Sequence, residues 1–290
     1  MTPLAVCRFL DFLAAMLAFG SSAFLWLYAP ADLRRALAPK IRRLALAASL
    51  VALATAILWL ALEAASMTED WSAAFDPGRI AAVLTDTEFG QAWIAHLAFA
   101  VAFVAVAVFA PRDAWGAIAA LAGLVLASLA LVGHAAMQMG DVGALHRANH
   151  AVHLLTTGAW LGGLIPFAMC RDAYAANDLR TAAVGAMTRF SFYGHFVVAA
   201  IVATGIVNIA LISGRPPLPP TTPYRALLDV KIGVVAIMIS LALFNRYGLV
   251  PRLKSDANAL AALRRNSMIE VALGTLAVAL VSVFALLNPF

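Results

Sequence analysis

Four of the six histidines fall between Gly133 and His153, in the run G-H-A-A-M-Q-M-G-D-V-G-A-L-H-R-A-N-H-A-V-H, together with Met137 and Met139. Imidazole nitrogen and thioether sulfur suit copper as a set, because thioether favours Cu(I) while imidazole serves both oxidation states. His146, His150 and His153 follow a four-then-three spacing, which sets them on one helical face, and Trp160 continues that stripe. His134 and Met137 are three apart and are expected to be neighbours on the end of the preceding helix. A connection of about nine residues makes the two helices antiparallel neighbours, so the groups can converge. His96 lies about 9 Å inside its own span by helical rise, level with His153, while His134 and His150 match at a shallower depth. The expected copper ligands are therefore His134, His150 and His153, with His96, His146 and Met137 as additional ligands.

Each of these residues also has a plainer reading. Methionine fills gaps in apolar packing, which weakens Met139 and the isolated Met67 more than Met137. His146 reads equally as a solvated loop residue, and His96 as a hydrogen-bonding partner of a neighbouring helix. His195, near the opposite end of its span, is expected to be structural. Arg8 and Asp11 are spaced to pair, Asp229 and Lys231 to neutralise one another, and Glu63 and Glu270 to reach the membrane interface. Gly162, Gly163 and Gly205 would let helices approach closely. The segment from Gly214 to Tyr224 carries five prolines and is expected to be extended and stiff.

The elements that must hold these groups are membrane helices. A chain that is 63% apolar and 12% charged, with mean hydropathy +0.90, cannot expose that surface to water. Stretches of about 20 apolar residues recur roughly eight times, and none alternates as barrel strands do. The expected fold is an all-α polytopic bundle, one transmembrane domain over 1–290. Its spans are expected near 4–29, 41–65, 90–110, 114–137, 147–170, 191–213, 225–248 and 268–288. Arg34, Arg35, Lys40, Arg42 and Arg43 in the first connection, and Arg246, Arg252, Lys254, Arg264 and Arg265 in the seventh, mark the cytoplasmic side. Arg112, Arg171, Arg180 and Arg189 agree, whereas the second connection is acidic through Glu69, Asp70, Asp76, Asp86 and Glu88. Both termini and the histidine run are thereby assigned to the periplasmic side. The basic sequence pI reports this asymmetry and implies no nucleic-acid partner.

Several classes are set aside by the same reading. The first apolar stretch is too long for a secretory signal and lacks an evident cleavage site, so it reads as a retained span. Cys7 and Cys170 fall near opposite faces, too far apart for a disulfide. No phosphate-binding GxxxxGK[ST] loop is present, so transport would not be driven by ATP on this chain, and no enzymatic activity is expected.

From His153 onward the chain resembles the CopD (PcoD) family of bacterial inner-membrane copper-resistance proteins. The pieces that carry the likeness are His153-L-L-T-T-G-A-W-L-G-G-L, Arg189-Phe-Ser, Thr204-Gly-Ile, Pro223-Tyr224-R-A-L-L-D-V-Lys231, Asn245-Arg246-Y-G-L-V-P-R-L and Met268-I-Glu270. The G-H-A at Gly133 adds to it, while Tyr224-Arg225 stands where the family often has Tyr-Gly. The resemblance implies a copper-homeostasis protein of the inner membrane that moves copper from periplasm toward cytoplasm alongside a periplasmic CopC-type carrier. One alternative is a b-type haem protein, with His96 and His153 or His134 and His150 as axial pairs. A third is an outer-face copper sensor or docking protein.

Overall fold

The computed structural model describes residues 2–175, 178–213, 222–254 and 257–288, and within them every regular element is helical. Chain order gives α1 (Pro3–Leu27), α2 (Ala31–Thr68), a short α3 (Pro77–Asp86), α4 (Glu88–Phe109) and α5 (Trp115–Ser128). Then follow α6 (Gly140–Ala175), α7 (Arg180–Ser213), α8 (Pro223–Leu243) and α9 (Ala257–Phe284). Among the described residues seven of these are long and apolar enough to cross a membrane, and α5 is a shorter apolar helix beside them. Polar caps start the helices where the sequence supplies them: Thr2 accepts from the Ala5 amide, Thr87 from that of Gly90, and Thr222 from that of Arg225, with Pro223 as the first residue of α8. Pro223 and Tyr224 are thus helical and not extended as expected, because proline at that position forfeits no hydrogen bond. The rest of the proline-rich segment, 214–221, lies outside the described residues.

α1 is the central helix. It packs on α2, α5, α6 and α9, and its buried Phe24 joins Trp59, Trp93, Phe103 and Trp115 in the main apolar core. Gly20 and Gly162 let α1 and α6 touch backbone to backbone, and Ser21 Oγ donates to the Gly162 carbonyl at 3.0 Å. Sequence reading marks Gly162 for such an approach but leaves its counterpart, Gly20, unmarked. A smaller cluster of Trp160, Leu164, Ile201, Val234, Met238 and Ala277 joins the second half. There α7 lies along α6, and α8 along α9.

Two boundaries differ from expectation in ways that matter for the site. α9 begins at Ala257 rather than 268, which carries Glu270 well inside the helix. The fourth span is not one helix over 114–137. α5 stops at Ser128 and the chain continues as two 3-10 turns, Leu129–Leu131 and Gly133–Ala136, joined through an extended Val132. Fourteen α-helical residues rise only about 21 Å, short of a bilayer's hydrocarbon thickness. Gly133 and Gly140 adopt φ +74 and φ +63, a left-handed backbone that favours glycine and breaks the helix at both ends of the Met-bearing segment.

The acidic second connection is also structured. A 3-10 turn over Trp71–Phe75 leads into α3, with Trp71 and Phe75 exposed as interfacial aromatics. Hydrogen bonds from the Ser72 hydroxyl and amide, and then Arg79, hold the Asp70 carboxyl down at about 2. A carboxyl depressed on folding favours the folded turn above its ordinary range near 3.8, and that contribution disappears as pH falls through about 2. Carboxyl-carbon NMR should find the Asp70 midpoint near 2, and Ser72→Ala should return it toward the ordinary value; a midpoint unmoved by Ser72→Ala would remove this account.

Candidate metal site

The broken fourth span, the first turns of α6 and α8 and the last turns of α7 and α9 meet at one end of the bundle. His134 sits in the 3-10 turn after Gly133, half-buried, edge-on to Tyr224 at 5.5 Å and hydrogen-bonded to the Leu287 backbone. It is not on a helical face with Met137, as the spacing suggested, since the α-helix has already ended. Met137 is 57% and Met139 75% exposed, so neither is a packed core methionine. Unwound backbone at membrane depth is tolerated where it borders a cavity or binding site, and here it presents the only run dense in imidazole and thioether.

His146, His150 and His153 do share one face of α6. Their hydrogen bonds determine which nitrogen of each ring is free. Gln138 donates to the Leu211 carbonyl, so its Oε1 accepts from His146 Nδ1–H at 2.6 Å, and His146 Nε2 is left buried with no partner. Thr204 Oγ1 donates to the Ala200 carbonyl and so accepts from His153 Nδ1–H at 2.9 Å, which leaves the lone pair on Nε2. His150 is the opposite case. Asn149 donates to the Thr204 carbonyl and to Asn208 Oδ1, both at 2.9 Å, so Asn208 must offer its amide N–H to His150 Nδ1, at 3.2 Å. The proton of His150 then resides on Nε2. The His150 and His153 rings lie nearly parallel with centroids 6.3 Å apart, and Gly205 leaves room for His153, whose Cε1 is 3.5 Å from where a Cβ would stand.

His134, His146 and His150 lie within electrostatic range of one another, and Lys231 within range of His150 and His153. Lys231 reaches over the Phe284 ring at 6.0 Å and forms no ion pair with Asp229 among the described residues; two residues apart on a helix, the two side chains face different ways. Among the described residues no group of three or more His, Cys, Asp or Glu side chains is already gathered around one point. The histidines therefore form a line along α6 with His134 beside it, and not a closed cage.

His96 belongs to a different environment. It is fully buried in the first half, stacked on Trp93 at 4.4 Å, with Nδ1 2.8 Å from Ser128 Oγ and Nε2 3.3 Å from Asp11 Oδ2. Asp11 also accepts from Thr55, so its partners are His96 and Thr55 and not Arg8; Arg8 instead lies over the Trp59 ring at 4.6 Å. Nδ1 is taken by Ser128, and Nε2 faces the Asp11 carboxylate without forming a hydrogen bond, so the ring is turned between α1 and α5. His195 is at the other end of α7, bonded to the Phe192 carbonyl and to the Tyr247 hydroxyl, each at 3.1 Å. Glu270 does not reach the interface. It is 2% exposed and accepts from Asn245 at 2.7 Å. Glu63 is half-buried beside Trp59 and Arg8. Cys7 and Cys170 are free and buried. Gln138, Asn149, Thr204 and Asn208, which set the histidine tautomers, were not singled out by sequence as partners; their one signal is that amide and hydroxyl side chains inside apolar spans require partners.

The N-terminal domain described as copper resistance protein D-like matches residues 1–144, and copper resistance protein D matches residues 184–284. The inner membrane protein YebZ of Escherichia coli (strain K12) is 36% identical over 285 residues, spanning 98% of this chain and 97% of the relative. Copper resistance protein D of Pseudomonas syringae pv. tomato is 28% identical over 304 residues, 99% of this chain and 97% of that one. No solved structure matches the chain. None of these relatives is described as a haem protein, and the haem reading has no support. The matches on both halves and the full-length likeness to YebZ show that this chain, a multi-pass protein of the inner membrane, belongs to the copper resistance protein D family.

Proposed function

We propose that the chain takes up copper at the broken-span end of the bundle and passes it inward through the membrane, with copper as cargo and no covalent chemistry on the protein. The observation that carries the reading is the pair of imidazole lone pairs on His146 and His153, each held free by a hydrogen bond at the other ring nitrogen, beside the exposed Met137 and Met139. The family description, copper resistance protein D, supports copper as the cargo. Met137 and Met139 are the surface on which a periplasmic CopC-type carrier would present its metal, with thioether accepting Cu(I) first and imidazole accepting it next. His134, His146, His150 and His153 form the capture site.

His150 gives capture a structural consequence. Its Nε2 becomes a ligand only when its proton moves to Nδ1, and Nδ1–H then confronts the Asn208 amide, which must rotate. Rotation breaks the Asn149–Asn208 link between α6 and α7. Metal capture is thereby coupled to loosening of the α6–α7 contact, the kind of step that lets cargo leave inward. Charge supports the orientation: the acidic α2–α4 connection lies at the histidine end, and Arg34, Arg35 and Arg42 at the other.

The test is reconstitution in vesicles. Vesicles carrying the full chain, given Cu(I) on the histidine side, should accumulate copper above protein-free vesicles, whereas copper that binds but never enters the lumen would reject transport.

A further inference from the structure

The stripe that bears the histidines does not stop at His153. His146, His150, His153, Thr157 and Trp160 recur at four, three, four and three residues along one face of α6. The Thr157 hydroxyl is buried and has no hydrogen-bond partner. Trp160 is 6% exposed and hydrogen-bonds the Glu270 carboxylate. Beyond it opens a cavity of about 310 Å³ among α6, α7, the end of α8 and α9, lined among others by Trp160, His195, Asn245, Arg246 and Glu270. The wall from α8 is a π-helical turn over Phe244–Leu249, a distortion found mostly at functional sites.

Two groups in this cavity are prepared for a cation. Glu270 takes hydrogen bonds from Asn245 and Trp160, Asn245 is itself fixed by Asn266 at 2.8 Å, and no ion pair reaches Glu270 among the described residues. Arg246 reaches the same cavity without pairing with it. No ion pair holds the Glu270 carboxyl ionised inside the bundle, so a cation entering the cavity would supply the countercharge that its ionised form needs. His195 Nδ1–H donates to the Phe192 carbonyl, so Nε2 holds the lone pair, covered by the Tyr247 hydroxyl. Tyr247 is 66% exposed, so that hydroxyl is held by no packing from outside. The cavity has room for several waters, so a metal ion there can keep part of its hydration and needs few protein ligands.

We propose that this cavity is a second, transient cation site, in which Glu270 and His195 receive the metal passed along α6 from His153 by way of Thr157. The metal keeps its oxidation state, and the two sites exchange ligands in sequence. Few protein ligands make the second site the weaker one, as onward release requires. The inference rests on the proposed copper uptake, and its test separates the two. Purified full-length protein is dialysed against excess Cu(II), a paramagnetic probe that imidazole and carboxylate both ligate, and bound copper is counted alongside the electron paramagnetic resonance spectrum. Glu270→Gln, close to isosteric and still able to accept from Asn245, should bind one equivalent fewer than wild type while the spectrum of the α6 histidines is kept. His195→Gln should lose the same equivalent, and serves if the Glu270 variant fails to stay monodisperse. Unchanged stoichiometry in either folded variant overturns the second site, whereas a histidine-site signal unaffected by loss of His150 and His153 overturns the uptake reading instead.

Discussion

Detergent-purified protein carrying His150→Ala together with His153→Ala should lose tight copper binding, with Kd rising about a hundredfold or more, while its helical content and monodispersity stay those of wild type. The size follows from removing two imidazoles where loss of even an orienting partner costs 10- to 100-fold in metal affinity. The single variants should not be equal. His153 is already the tautomer with Nε2 free, so His153→Ala removes a prepared ligand; His150 must first shift its proton and displace Asn208, so His150→Ala removes a ligand that is used at a cost. Thr204→Val, which takes away the acceptor for His153 Nδ1–H, should fall between the double variant and wild type. Both substituted histidines are half-buried at the edge of the α6–α7 seam and outside the main core, so the fold should tolerate their loss. Stoichiometric, high-affinity copper binding retained by the double variant would falsify the site assignment.

How much of this was legible in the sequence depends on how local each feature is. Helical class follows from apolar runs whose length the bilayer dictates, and α1, α4 and α8 fall close to the expected spans, whereas α2, α6, α7 and α9 begin well before theirs because helix continues past the apolar run into polar residues. The alignment of His146, His150 and His153 also follows, because three- and four-residue spacing on a helix is geometry. The break after Ser128 does not, since Leu129, Ala130 and Leu131 are ordinary helix-compatible residues and only Gly133 hints that the backbone turns left-handed. Depth matching likewise failed for His96. Equal depth says nothing about direction around a helix axis, and the Asp11 carboxylate and Ser128 hydroxyl turn its ring into the first half of the bundle. Arg8 and Asp11 have pairing distance in sequence, yet the flat face of Trp59 and the imidazole of His96 offer each a partner from another helix. Tautomers were beyond reach, because they depend on contacts between residues more than fifty positions apart, such as Asn149 with Asn208.

Gly20→Ala should be strongly damaging, because it drives a methyl into the backbone contact between the central helix α1 and α6. A Cβ at Gly20 would stand 2.2 Å from the Gly158 carbonyl oxygen and 2.6 Å from the Gly163 nitrogen; a Cβ at Gly162 would stand 2.2 Å from the Met16 carbonyl oxygen. These are backbone atoms, so no side chain can rotate away, and α1 must separate from α6. Overpacking a filled core costs about 1 to 3 kcal/mol and more where nothing can yield. At about 3 kcal/mol the melting midpoint of a chain this long falls by roughly 6 to 12 °C. The effect should extend beyond stability. α1 carries Arg8, which lies in electrostatic range of His134 and His150, and α6 carries the histidines, so prying the two helices apart moves the broken span relative to the capture site. Copper affinity should therefore fall in Gly20→Ala although no ligand is touched. Gly233→Ala supplies the control. Nothing lies within 4 Å of a Cβ there, and a mid-helix glycine replaced by alanine gains about 0.5 to 1 kcal/mol of helix preference, so its midpoint should hold or rise. Equal midpoints for the two variants would mean that the glycine contact between α1 and α6 does not hold the bundle together.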